Sequence, residues 1–122
     1  MSEGKKDDMT PFYKNFIECG RTMQHAVHQN AKDHGWWEGE RSDGELIALQ
    51  HSELSEALEA MRKGNPDSVK IPGHCHAVEE LADTVIRIMD HCEARGWNLF
   101  KAIAAKHEFN KGREYKHGGK AF

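Results

Sequence analysis

Ser42-Asp43-Gly44-Glu45-Leu46-Ile47-Ala48-Leu49-Gln50-His51-Ser52-Glu53-Leu54-Ser55-Glu56-Ala57-Leu58-Glu59-Ala60-Met61 reads as one helix. Ser42 and Glu45 stand at capping-box spacing. Leu46, Ile47, Leu49, Leu54, Ala57, Leu58 and Met61 recur at helical spacing, and Gly64-Asn65-Pro66 stops the run. Within it Glu53 and Glu56 lie three residues apart, which puts their carboxylates on neighbouring turns. Projected at about 100° per residue, Glu53 falls inside the apolar arc, between Ala60 and Leu46, and Glu56 falls at its edge beside Leu49. A carboxylate placed there either snorkels to water along its stem or is held for a chemical purpose.

Working outward, the loop 67–73 leads into a third segment carrying Val78, Leu81, Ala82, Val85, Ile86, Ile88, Met89 and Cys92, which stops at Gly96. Its apolar side is wide, as expected for a helix with more than one packing neighbour. It carries the second acidic pair, Glu80 and Asp83, again three apart. These project away from the apolar arc together with Glu79, Arg87 and Asp90. That side is either a solvated charged face or one wall of a cleft facing the second helix.

Upstream, Thr10-Pro11 supplies a cap and a first-turn proline, and Phe12, Phe16, Met23 and Val27 carry a helix over 11–33 toward Gly35. Downstream, Asn98 caps a fourth helix with Leu99, Ile103 and Phe109, which Gly112 interrupts. No segment shows the period-two alternation of strands. The expectation is an all-α four-helix bundle forming a single domain over 10–122, behind a polar leader, 1–9, that buries too little to become ordered.

Lys and Arg number 17 against 20 Asp and Glu, a net charge of −3, so no overall basic field recommends nucleic acid as a partner. Cys19, Cys75 and Cys92 are an odd count without a secreted-scaffold spacing and read as reduced thiols. The leader lacks the apolar stretch of a signal peptide, and no run approaches membrane-spanning length. A cytoplasmic protein with no membrane partner is expected.

Four carboxylates gathered between packed helices would repel one another, and each would carry a desolvation cost of several kcal/mol. A hard divalent cation offsets both. The segment His51-Ser-Glu53-Leu-Ser-Glu56, then Glu79-Glu80-Leu-Ala-Asp83, resembles the E-x-x-E and E-x-x-D signature of the MazG-like nucleotide pyrophosphohydrolases, of the all-α NTP pyrophosphatase superfamily. The resemblance extends to Gly35-Trp36-Trp37 and to Asn110-Lys-Gly-Arg113-Glu-Tyr-Lys-His117-Gly-Gly-Lys120, nearly the whole chain.

That resemblance implies an oligomeric helical bundle, a dimer or tetramer. The implied activity hydrolyses a nucleoside triphosphate between its α and β phosphates, as house-cleaning of the nucleotide pool. It implies Mg²⁺ as cofactor, with Mn²⁺ able to substitute, on Glu53, Glu56, Glu80 and Asp83. Glu56 is the expected general base, because Glu53 is placed more deeply and more committed to the metal. By resemblance Lys106 and Arg113 would bind phosphates and Asn110 the sugar or base.

Several readings stay open. Lys106, Lys111, Arg113, Lys116 and Lys120 also fit a solvated basic tail. Trp36 and Trp37 suit stacking on a nucleobase, though core packing accounts for either one equally well. Trp97 reads as packing, while His34 and Tyr115 have only position to recommend them. His74-Cys75-His76 and His91-Cys92 contain zinc-type ligands without a matched second pair. A di-iron centre expects Glu-x-x-His on two helices, and neither acidic pair supplies one. Two alternatives to the triphosphate hydrolase are a non-catalytic metal- or nucleotide-binding dimerisation module and a phosphoribosyl-ATP pyrophosphohydrolase.

Overall fold

The computed structural model describes residues 10–113. The expected leader, 1–9, and Glu114, Tyr115, Lys116, His117 and Lys120 lie outside the described residues. Four helices make up the described chain: α1 (Pro11–Asp33), α2 (Asp43–Arg62), α3 (His76–Arg95) and α4 (Leu99–Lys111). Among the described residues there is no strand, only an isolated bridge between Asp67 and Cys75. No described helix is long and apolar enough to cross a membrane.

The helix ends follow from local chemistry. Ser42 Oγ accepts the Glu45 N–H at 3.1 Å, capping α2. The reciprocal half of the box is missing, because the Glu45 carboxylate turns to Arg41 Nη1 at 2.7 Å. Helix α3 ends at Gly96, whose φ of 74° is left-handed and favours glycine. Asn98 Oδ1 accepts the Lys101 N–H at 3.0 Å and starts α4, which ends at Gly112.

The described residues form two compact units, one from 10–23 with 98–113 and the other from Gln24–Trp97. In the first unit Phe16 meets Phe100 edge-on at 5.3 Å between ring centres. Tyr13 donates its hydroxyl to Glu108 Oε2 at 2.6 Å. Gly20 is buried against Phe100, and a Cβ there would fall inside the ring's contact envelope.

In the second unit α2 and α3 pack antiparallel. The start of α2 meets the end of α3 where Asp43 Oδ1 accepts from Arg95 Nε at 2.7 Å and lies 2.9 Å from His91 Nε2. Further along, Glu53 meets Arg87. Leu46, Ala57 and Ala60 of α2 and Ala77 and Met89 of α3 form a small apolar core. Beside it α3 buries Glu79, Glu80, Thr84, Asp90 and His91.

The helix therefore packs its polar side inward. Its apolar stripe, Val78, Leu81 and Val85, stays 43%, 45% and 49% exposed. A matching stripe on α2, Ile47, Leu54, Leu58 and Met61, is also exposed. The wide apolar side of the third helix was expected to meet several neighbours, but this stripe remains open because the carboxylate face takes the place against α2.

Candidate functional site

Burying the polar side of α3 creates a cavity of about 580 Å³ in the second unit. That volume lies within the range of small-molecule sites. Glu53 and Glu56 face it from α2, and Glu80, Asp83, Arg87 and Asp90 from α3. Trp36, Asn30 and Lys70 also line it. The charged side of the third helix is thus a cleft wall, and both acidic pairs reach the same space.

One carboxylate oxygen from each of Glu53, Glu80 and Asp83 lies within 4.8 Å of the others. Burial, the Glu53 carboxylate and the Asp83 charge raise Glu80 above its ordinary value of 4.5, against the lowering effect of His76. Burial, with the charges of Glu53 and Glu79, likewise raises Asp83 above 3.8, opposed by the positive charges of Lys70 and Arg87. Glu80 and Asp83 are therefore under-compensated by the protein. Glu56 lines the cavity but contributes no atom to this triplet.

A second group joins the first through a shared member: ligand-type atoms of His76, Glu79 and Glu80 also lie within 4.8 Å of one another. His76 Nε2 is 3.0 Å from Glu80 Oε2, while Ser68 Oγ donates to Glu79 Oε1 at 2.7 Å. Of the zinc-type residues in the sequence, His76 is thus drawn into an acidic cluster rather than a cysteine–histidine set.

The tryptophans separate in role. Trp36 lines the cavity, with the Arg41 guanidinium 3.7 Å and the Arg87 guanidinium 5.1 Å from its ring centre. Trp37 instead donates its indole N–H to Asp90 at 2.9 Å and meets His28 edge-on. His28 Nδ1 donates to Asp90 Oδ1 at 2.6 Å. Two donors on a buried carboxylate offset its desolvation cost, and they fix the turn after α1 to α3.

Lys106, Asn110 and Arg113 belong to the first unit, on α4 and just beyond it, and all three are exposed. Lys106 Nζ and the Arg113 guanidinium lie 4.8 Å and 6.0 Å from the centre of the Phe109 ring. His34, just past the end of α1, has Nδ1 2.9 Å from the Asn30 carbonyl of that helix. Trp97 is half-exposed, with its carbonyl accepting from Gln24 Nε2 at 2.9 Å.

The sequence did not single out Asn30, Lys70, Arg87 or Asp90 as site residues. For α3 a signal exists in hindsight: 80, 83, 87 and 90 follow helical spacing along one face. Lys70 in its loop and Asn30 on α1 have no comparable periodic signature. No protein-family model, curated protein or solved structure matches the chain.

Proposed function

We propose that this protein is a divalent-cation-dependent hydrolase of nucleoside triphosphates that releases the monophosphate and pyrophosphate. The observation that carries this reading is the convergence of Glu53, Glu80 and Asp83 within 4.8 Å of one another. They do so in a cavity that also presents Trp36 and the cations Lys70 and Arg87.

An all-oxygen donor set suits Mg²⁺, with Mn²⁺ as substitute. The raised Glu80 and Asp83 mark a surplus of negative charge that such an ion relieves. Glu53, Glu80 and Asp83 would hold it. When bound, it supplies charge neutralisation for the phosphates and lowers the pKa of water.

Glu56, one turn from Glu53 and outside the triplet, is the residue we assign to accept the proton of the attacking water. The water oxygen bonds to the α-phosphorus, and the bond from that phosphorus to the bridging oxygen breaks. The electron pair leaves with pyrophosphate. Trp36 offers an aromatic wall for the nucleobase. The exposed apolar stripes of α2 and α3 supply the surface for a homo-oligomer.

The test is a panel of ribo- and deoxyribonucleoside triphosphates incubated with Mg²⁺, with products resolved by ion exchange. Monophosphate plus pyrophosphate is expected, abolished by EDTA and by Glu53→Gln. Diphosphate plus phosphate refutes the cleavage position. No turnover across the panel favours a binding module or a phosphoribosyl nucleotide as substrate.

A further inference from the structure

The two cations of the cavity wall are not equivalent. Arg87 is committed to Glu53, with Nε 2.7 Å from Oε2. Lys70 has no ion-pair partner among the described residues. It reaches the cavity from the loop between α2 and α3.

That loop is anchored by several hydrogen bonds on both sides of residue 70. Asn65, at a left-handed φ of 50°, accepts the Ala77 N–H on its side-chain oxygen at 2.8 Å. The His76 N–H reaches the Pro66 carbonyl at 2.7 Å, and the Ser68 N–H reaches the His74 carbonyl at 2.8 Å. Ser68 is buried, donates to Glu79 and accepts the Ile71 N–H at 3.0 Å. Asp67 accepts the Gly73 N–H at 3.2 Å.

Yet the residues flanking Lys70 add little to a core: Val69 is 93% exposed and Ile71 41%. The effect of the anchoring is to fix where residue 70 stands. A lysine on a mobile loop would lose much rotamer and backbone freedom on binding an anion, whereas here the backbone part is already lost on folding.

The cavity also has two chemically different ends. Glu80, Asp83, Arg87 and Asp90 run along α3 over about 15 Å, at 1.5 Å of rise per residue. Lys70 belongs to the Glu80–Asp83 end, since it lines the cavity from the loop that leads directly into the start of α3 at His76. At the other end stands Asp90, held by His28 and Trp37. A buried carboxylate there repels phosphate but accepts from the N–H or O–H groups of a nucleoside.

Resting on the reading above, we propose that Lys70 binds the pyrophosphate half of the triphosphate, which lies at the α2–α3 loop end, with the nucleoside toward Trp36 and Asp90. Lys70 is then the charge partner of the leaving group.

The experiment compares the full chain with Lys70→Met and Lys70→Arg, titrating inorganic pyrophosphate and a nucleoside monophosphate separately by calorimetry in Mg²⁺. Loss of one charge-assisted contact should weaken pyrophosphate binding of Lys70→Met about ten- to a hundredfold. Monophosphate binding should stay within about twofold, a selectivity that general loop damage would not produce. Lys70→Arg should recover most of the loss.

Equal weakening of both ligands, no weakening of pyrophosphate, or no pyrophosphate binding by the wild type would each overturn the assignment. Calorimetry needs no turnover, so the two readings fail separately. A wild type that binds pyrophosphate through Lys70 yet hydrolyses no triphosphate overturns the reaction alone. An active wild type whose Lys70→Met variant retains pyrophosphate overturns Lys70 alone.

Discussion

Arg87 Nε donates to Glu53 Oε2 across 2.7 Å, joining α3 to α2 through one of the three carboxylates that converge in the cavity. The pair is largely shielded, with the Glu53 side chain 15% and the Arg87 side chain 32% exposed. A cation arriving at Glu53, Glu80 and Asp83 competes with this guanidinium. Arg87→Met should therefore raise Mg²⁺ affinity about tenfold, the scale of one charge-assisted bond, while lowering the melting temperature in EDTA. Calorimetric Mg²⁺ titration checks the first effect and a thermal melt the second. Weaker Mg²⁺ binding in the variant would mean that Arg87 supports the centre instead of competing with it.

Glu80 and Asp83 give the cation-free protein a distinctive pH dependence. Both are raised, by burial first and then by neighbouring carboxylates. A carboxyl raised in the folded state holds its proton more tightly there than in the unfolded chain. Its contribution to stability is thus present below the unfolded value and lost as pH rises through the folded one. In EDTA, Glu80→Gln should melt a few degrees higher than wild type at pH 8, by about 2–5 °C, and the gap should close toward pH 4. With Mg²⁺ the order should reverse, because only the wild type gains binding energy. Thermal melts across pH with and without Mg²⁺ decide the matter, and a variant that keeps the full Mg²⁺ increment would remove Glu80 from the ligand set.

The opposite sign holds at Asp43. Hydrogen bonds from Arg95 first, and then from His91, hold its carboxyl below the ordinary value of 3.8. That contribution is present above the unfolded value and disappears as pH falls through the folded one. Asp43→Asn should lower the melting temperature at pH 7 by about 1–4 °C, the modest scale of an exposed pair. The difference should vanish in acid and shrink in 1 M salt, where screening reaches about 3 Å. A deficit unchanged by both would point to the helix start rather than the charge.

Helix ends were legible because their signals are local. Ser42, Gly96 and Asn98 cap where the sequence places them, since each cap depends on residues within one turn. Glu53 was legible as an inward carboxylate because helical periodicity sets it on the arc of Leu46 and Ala60. The orientation of α3 was not, for periodicity says which residues share a face but not which face meets a neighbour. Here the face bearing Glu80 and Asp90 turns inward and Leu81 stays outside. Lys70 and the Trp37–Asp90 bond were illegible for a related reason: each depends on a contact or a loop path with no repeating pattern.

The outward stripes make the last expectation. Antiparallel packing, with Glu53 opposite Arg87, sets Leu54 near the level of Val85, Leu58 near Leu81 and Met61 near Val78. Two adjacent apolar stripes on neighbouring helices form a continuous patch, larger than the scattered exposed residues of a typical monomer surface. Fully burying one leucine side chain contributes roughly 1.5–3 kcal/mol, so half-burying several against a second copy favours association, set against the lost translational and rotational freedom. Light scattering should give a multiple of 13.9 kDa for the wild type. Leu58→Glu combined with Leu81→Glu should reduce it to that mass with helical content unchanged, because both side chains are about half exposed within the chain, at 52% and 45%. A wild type already at 13.9 kDa would sink the proposed oligomer. A double variant that keeps the larger mass would move the interface elsewhere.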